Sequence, residues 1–124
     1  MRPFEQLITF LPAIDLIRTT DFYQNVLELP LVRDQGDCKI FRVSSGGFIG
    51  FCSRPEIPSP ANSIILTLIT SDVDECFAKL VNAGAISIKT PTYNPKYAIY
   101  HAFLLDPNGY QIEIQCFDDP LPSQ

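Results

Sequence analysis

Apolar and polar residues follow one another along the chain in two successive series that predict the same order of elements. In the first series, Phe4–Leu11 is apolar enough for a buried strand, and Asp15 can cap a helix that runs to about Leu29. The apolar residues of that helix fall on one side, which is typical of a helix packed against a sheet. Three short strands are predicted after it, at about 31–35, 38–44 and 47–53.

The second series begins after the proline-rich segment Arg54–Asn62, which marks a loop because proline cannot donate to a strand ladder. It predicts a strand at Ser63–Thr70 and a helix that starts at Ser71 or Asp72 and ends at Gly84. The remaining elements are short strands at Ala85–Ile88, Ile99–Leu105 and Tyr110–Phe117, a loop at 89–98 and a turn at 106–109.

The two series keep a common spacing. Ile8 stands seven residues before Asp15, and Ile65 stands seven residues before Asp72, so an offset of 57 residues relates the two halves. A repeated unit of this kind can complete its hydrophobic core by pairing with its copy. We therefore expect one domain over residues 1–124, built from two similar modules.

Composition and charge narrow the class of protein. With 46% hydrophobic and 19% charged residues, the chain is expected to fold. Its net charge of −5 and the lack of a basic run argue against nucleic acid or a membrane surface as a partner. No stretch resembles a membrane span, and Glu5 and Asp15 lie where a signal peptide needs neutral or basic residues. We expect a soluble, cytoplasmic protein.

The four cysteines do not form a recognisable metal or redox motif. Cys38, Cys52, Cys76 and Cys116 contain no CxxC pair, so zinc-ribbon and thioredoxin-type chemistry are not supported. Each lies among apolar residues, which predicts buried, reduced thiols.

Three segments resemble the vicinal-oxygen-chelate superfamily, which includes glyoxalase I, bleomycin-resistance proteins and extradiol dioxygenases. Asp15–Leu29 is similar to the family run D-L-x-x-x-x-x-F-Y-x-x-V-L-G-L, and Asp72–Gly84 is similar to its second helix. Asp106–Ile114 is similar to its C-terminal D-P-D/N-G-x-x-I-E-L hairpin.

The resemblance covers about residues 4–117 and implies an α+β fold. Two βαβββ modules, at about 4–53 and 63–117, would form a curved sheet around a concave cavity, with the helices on the convex side. Many members of this superfamily are homodimers, so the resemblance also implies a homodimer.

The resemblance further implies where metal-dependent members hold a divalent cation. The four matching positions are Ile8, about Gly50, Ile65 and Glu113, and only Glu113 offers a donor atom. A divalent ion commonly needs three or more protein donors. We therefore expect no metal or other cofactor, and a metal-free small-molecule-binding protein.

Two other functions stay open. One is a metal-dependent lyase or dioxygenase-like enzyme of the same superfamily, with ligands at positions other than those matched here. The other is a regulatory or interaction domain whose cavity is filled by its own side chains. Whether any reaction is catalysed, and the identity of the ligand, stay open as well.

Two polar residues are the main candidates for the site. Glu113 lies between Ile112 and Ile114, so strand alternation points it into the cavity, as an anchor for a polar group or a base with a raised pKa. It could equally be a family remnant bonded to water or a neighbour. His101, the only histidine, could form an acid–base pair with Glu113, or be a structural histidine bonded to backbone or at a dimer seam.

Aromatic residues complete the candidate ligand-binding set. Phe10 and Phe51 are candidates for lining the cavity, although core packing explains them equally well. Tyr93 and Tyr97 lie in the predicted loop 89–98, which could act as a lid or be a plain surface loop. Gly50, inside a predicted strand, indicates a close approach by a ligand or partner backbone, or a bulge.

Overall fold

In the computed structural model, which describes residues 3–122, the chain divides into two units between Ser59 and Pro60. The elements of the first unit are β1 (Leu7–Ala13), α1 (Leu16–Asp21), β2 (Leu31–Asp34), β3 (Cys38–Ser44) and β4 (Gly47–Ser53). The strands form a sheet in the order β1-β4-β3-β2, in which β1 and β4 are parallel and the other pairs are antiparallel.

The first helix begins where the sequence predicts and ends earlier. The Asp15 side chain accepts a hydrogen bond from the Arg18 backbone N–H at 3.1 Å, which confirms the predicted cap. After Asp21 the chain widens into a π-helical turn, Phe22–Val26, so the α-helix does not reach Leu29.

The end of this turn departs from the family motif. Glu28 stands where the motif has glycine, and it adopts a left-handed conformation with φ of 58°.

The aromatic core of the first unit explains the wide turn. The π-helical turn places the adjacent residues Phe22 and Tyr23 both on the buried side. Tyr23 packs against Phe51 with ring centroids 4.4 Å apart, and against Phe41 at 6.0 Å. Tyr23, Phe41 and Phe51 have no exposed surface, so they hold the π-helical turn against the sheet.

The second unit repeats this arrangement. After a short 3₁₀ turn, Ala61–Ser63, its elements are β5 (Ile65–Ile69), α2 (Val73–Asn82), β6 (Ile86–Asn94), β7 (Ile99–Leu105) and β8 (Gln111–Phe117). The strands form a sheet in the order β5-β8-β7-β6, in which β5 and β8 are parallel.

The second helix matches its prediction closely. Asp72 is the N-cap, since its side chain accepts from the Glu75 N–H at 3.1 Å, and Gly84 follows the helix with φ of 104°. The two caps, Asp15 and Asp72, are separated by the predicted 57 residues. The α+β fold of two βαβββ modules is thereby confirmed.

The sixth strand corrects the predicted loop. β6 runs from Ile86 to Asn94 and pairs with β7 along that length, with irregularities between Ser87 and Thr92. Pro91 can lie within it because β6 is the edge strand of its sheet, where a missing N–H breaks no ladder. Only the turn before Ile99 is left of the predicted loop 89–98.

The prediction of reduced cysteines is wrong for two of the four. Cys38 and Cys52 lie opposite each other on β3 and β4 and form a disulfide, whereas Cys76 and Cys116 are free and partly buried. Disulfides are more typical of oxidising compartments than of the cytosol. Within the described part of the chain, no helix has the length and apolar character needed to cross a bilayer.

Candidate functional site

The register of the second sheet gathers polar side chains on the face opposite α2. Glu113 on β8 lies opposite Thr67 on β5 and Phe103 on β7, and His101 lies opposite Gln115. Alternate residues of a strand share a face, so these side chains point one way. Ile112 and Ile114 point the other way and are almost fully buried.

Both oxygens of the Glu113 carboxylate accept hydrogen bonds. Thr67 Oγ1 donates to Oε1 at 2.7 Å. Gln115 Nε2 donates to Oε2 at 2.7 Å, and His101 Nδ1 lies 2.6 Å from the same oxygen. Glu113, His101 and Gln115 each expose less than a tenth of their surface, so the network is shielded from water.

These contacts decide the charge of Glu113. Burial raises the pKa of its carboxyl, but the hydrogen bonds from His101, Thr67 and Gln115 together outweigh burial and hold the pKa below its usual range. The expectation of a base with a raised pKa is therefore wrong. An ionised carboxylate only accepts hydrogen bonds, so the proton between the two groups belongs to His101 Nδ1.

The other ring nitrogen of His101 is the notable atom of the site. In a neutral imidazole protonated at Nδ1, Nε2 is an acceptor. It is buried and has no hydrogen-bond partner among residues 3–122. The His101 ring also contacts Phe103 edge-on, with centroids 5.1 Å apart, which together with Glu113 fixes its orientation.

A cavity of about 370 Å³ lies beside this network, within the second unit. Its volume is in the range of small-molecule pockets, and its wall is mainly apolar and aromatic. Besides His101, Glu113 and Gln115, the lining residues are Asn94, Tyr97, Ile99, Phe103 and Phe117.

The structure brings three of the six candidate residues to this cavity: His101, Glu113 and Tyr97. Tyr93 lies opposite Tyr100 on β7, on the α2 side, and its hydroxyl donates to Asp118 at 2.6 Å. Tyr97 is 61% exposed, in the short turn that is left of the predicted loop 89–98.

The two remaining candidates lie in the first unit. Phe51 is part of the aromatic core described above, and Phe10 is 49% exposed and lines a different cavity.

Phe103, Phe117 and Thr67 are not among the sequence candidates. The sequence signal for them is alternation: each lies on the same face as Glu113 once the pairing of β5, β7 and β8 is known.

Gly50 is the counterpart of Glu113 in the first unit. Phe10 lies opposite Gly50 as Thr67 lies opposite Glu113. A Cβ at position 50 would lie 2.5 Å from two ring atoms of Phe10. The close approach that the glycine indicated is therefore made by the Phe10 ring.

The donor set does not fit the divalent cation of metal-dependent relatives. Of the positions matched to the family ligands, Ile8, Gly50 and Ile65 offer no side-chain oxygen or nitrogen, and both Glu113 oxygens are already engaged. Nowhere in residues 3–122 do three or more His, Cys, Asp or Glu side chains form a group suited to a metal.

Known structures share this fold at low sequence identity. A glyoxalase/bleomycin resistance protein/dioxygenase from Nocardioides is 18% identical, with a TM-score of 0.78 over 100% of this chain and 90% of the other. A glyoxalase-related enzyme from Fulvimarina pelagi is 17% identical, with a TM-score of 0.78 over 97% and 94% of the two chains. TioX from Micromonospora sp. ML1 is 21% identical, with a TM-score of 0.75 over 90% and 97%. These likenesses establish the fold and leave activity open.

Sequence comparison gives the family. Curated proteins yield no match to this chain. The family model for the Glyoxalase/Bleomycin resistance protein/Dioxygenase superfamily matches residues 7–114, which includes both helices and Glu113. The chain therefore belongs to the glyoxalase/bleomycin resistance protein/dioxygenase superfamily.

Proposed function

We propose that this protein binds a small organic molecule in the cavity of the second unit, and that the molecule carries a hydroxyl or N–H group. The observation that carries this proposal is the buried Nε2 of His101, which has no partner in residues 3–122. A buried acceptor left unbonded costs about 1–3 kcal/mol, and a donor on a ligand would recover that cost.

The charge of the site favours the same class of ligand. Glu113 is ionised and hydrogen-bonded to Nδ1, so it increases the electron density that Nε2 offers to a donor. The apolar wall then suits the body of the molecule, while Asn94 and Tyr97 at the wall offer further polar contacts. A neutral or cationic molecule with one donor group fits this arrangement best.

We propose that the protein binds no metal and that it works as a homodimer. A divalent ion would need donors that Ile8, Gly50 and Ile65 do not supply. Neither nucleic acid nor a membrane is proposed as a partner, in keeping with the net charge of −5.

An acid–base enzyme is the second candidate, favoured by the 2.6 Å contact between His101 and Glu113. In that case Nε2 would take a proton from a bound hydroxyl or an acidified C–H, and the resulting imidazolium would be stabilised by the Glu113 carboxylate. The same proton would return to the product. Binding is common to both candidates, so binding is tested first.

The test is a thermal-shift screen of small hydroxyl- and amine-bearing compounds, each paired with an analogue that lacks the donor. A compound at 100 times its Kd should stabilise the protein by about 2.7 kcal/mol. His101→Phe removes the acceptor and keeps a flat ring, so we expect it to weaken binding about tenfold or more. Tyr93→Phe removes a hydroxyl outside the cavity and should leave binding unchanged.

The proposal fails if the paired analogues bind equally well, or if His101→Phe binds as the unsubstituted protein does. About one equivalent of a transition metal per purified chain, lost in Glu113→Gln, would contradict its metal-free part. Proton exchange from a bound ligand, present in the original protein and absent in His101→Phe, would favour the enzyme.

A further inference from the structure

The first unit has a cavity of its own. Arginine side chains line this cavity, whereas the Glu113 carboxylate lines the cavity of the second unit. The cavity of the first unit encloses about 450 Å³ on the face of the sheet that carries Phe10 and Gly50. We call it the arginine groove. Its lining residues are Gln6, Ile8, Phe10, Val32, Arg33, Gln35, Ile40, Arg42 and Phe48.

The floor of the arginine groove is apolar because alternation places one row of each strand there. Ile8 and Phe10 come from β1, Ile40 from β3 and Phe48 from β4. Gly50 lets the Phe10 ring lie close against the sheet, which a side chain at that position would prevent. The floor is therefore an apolar surface of the kind that lines small-molecule pockets.

Two guanidinium groups border this floor. Arg42 holds its guanidinium 4.8 Å above the Phe48 ring, and its Nη1 donates to the Ser45 carbonyl at 3.2 Å. These two contacts orient the group and leave most of its five N–H donors for a ligand. Arg33 enters from β2, opposite Ile40.

Within residues 3–122, neither arginine is paired with a carboxylate. Among the described residues, the ion pairs join Lys39 with Asp34 and His101 with Glu113, and no aspartate or glutamate lines the groove. The lack of a paired carboxylate at both arginines is unusual, because the chain has 14 acidic residues and only 9 basic ones, of which five are arginines. Two unpaired positive charges beside an apolar floor attract an anion with an apolar body.

We propose that the arginine groove binds a small monocarboxylate whose body is aromatic or aliphatic. The carboxylate accepts hydrogen bonds from Arg33 and Arg42, while the body lies on Phe10, Ile40 and Phe48. The inference concerns the first unit alone and does not depend on the ligand of the second-unit cavity.

The test uses phenylacetate and 4-phenylbutyrate, each compared with its uncharged amide. Affinity is measured by isothermal titration calorimetry, and the site is located from ¹H–¹⁵N chemical-shift changes. We expect the acids to bind more tightly than the amides, with shifts in β1 to β4. Arg33→Gln and Arg42→Gln should each weaken the acids about tenfold, the size of a lost charge-assisted hydrogen bond.

Two further variants distinguish binding of the carboxylate by the groove from a general effect of losing a positive charge. Arg54→Gln removes a charge of the same unit outside the groove, where Arg54 Nη1 donates to the Ser53 carbonyl at 2.7 Å, and it should leave affinity unchanged. Arg42→Lys keeps the charge without the fork and should bind at an intermediate level.

Equal affinity for acids and amides would overturn the proposal. So would an equal loss in Arg54→Gln, shifts confined to the second unit, or no binding of either acid at millimolar concentration.

Discussion

The ionisation of Glu113 is set by three side chains that reach it from three strands. Thr67 comes from β5, His101 from β7 and Gln115 from β8 itself. Their hydrogen bonds oppose the effect of burial and lower the pKa. The direction in which Glu113 points follows from its position between Ile112 and Ile114, but its charge depends on neighbours that are 46 and 12 residues away in the chain. The alternation of side chains along the strand predicts the direction of Glu113 but not its charge.

A pH titration of stability checks this assignment. The pKa of Glu113 is lower in the folded protein than the ordinary value of 4.5 for a glutamate side chain, so ionisation favours the folded state above that pH. The contribution disappears as the pH falls through the folded pKa. The free energy of unfolding of the original protein should therefore decrease relative to that of Glu113→Gln as the pH drops below about 4.5.

Urea denaturation at intervals from acid to neutral pH measures this difference. Glu56→Gln, which removes an exposed carboxylate of the first unit after β4, is the matched control for the loss of one charge. A difference between the original protein and Glu113→Gln that does not change with pH would contradict the lowered pKa.

Pairing register decides which side chains meet, and a single residue changes it. In the β7–β8 hairpin, Leu105 lies opposite Gln111, so five residues form the loop. With the four-residue turn 106–109, His101 would lie opposite Ile114, on the α2 side and away from Glu113. The Asp-Pro-Asn-Gly segment predicts a turn, but the inclusion of Tyr110 depends on its bonds to Asp106, at 2.9 Å and 3.0 Å.

The disulfide was missed for the same reason. The β3–β4 pairing shifts by one residue between Arg42 and Ser44, and that shift places Cys38 opposite Cys52. Continued without the shift from the pair Ser44 and Gly47, the register would place Cys38 opposite Ser53. Glycine at the turn was visible in the sequence, whereas the irregularity is a property of the folded hairpin.

The contact between Phe10 and Gly50 couples β1 to β4, and substitution should reveal it. Gly50→Ala would place a Cβ 2.5 Å from the Phe10 ring, so the ring must move away from the sheet. We expect a loss of about 1–3 kcal/mol in the free energy of unfolding, as for overpacking elsewhere. In a Phe10→Ala background the same substitution should cost little.

A double-mutant cycle in urea measures this coupling. Gly50 is not one of the glycines with positive φ, so alanine is compatible with its backbone. An equal cost of Gly50→Ala with and without the Phe10 ring would show that the backbone, and not the ring, requires glycine.

The two units share one architecture and differ in the chemistry of one sheet face. Where the second unit pairs His101 with Gln115, the first pairs Cys38 with Cys52, and where the second has Glu113, the first has Gly50. The shared plan was predictable because caps and hydrophobic spacing repeat at an interval of 57 residues. The difference arises from a few side chains whose meeting depends on register, so it emerges only from the folded sheets.

The disulfide should contribute to stability in the first unit specifically. It joins residues 14 apart in sequence, and closing a loop of that length in the unfolded chain corresponds to about 3 kcal/mol. Dithiothreitol should therefore lower the urea midpoint of the original protein and leave that of a Cys38→Ser/Cys52→Ser variant unchanged. A Cys76→Ser/Cys116→Ser variant should respond to dithiothreitol as the original protein does, because its disulfide is intact.

Hydrogen exchange followed by mass spectrometry locates the effect: peptides from β3 and β4 should lose protection on reduction, and peptides from β7 and β8 should keep theirs. An unchanged midpoint under reduction, or a loss confined to β7 and β8, would mean that the Cys38–Cys52 bond does not stabilise the first sheet.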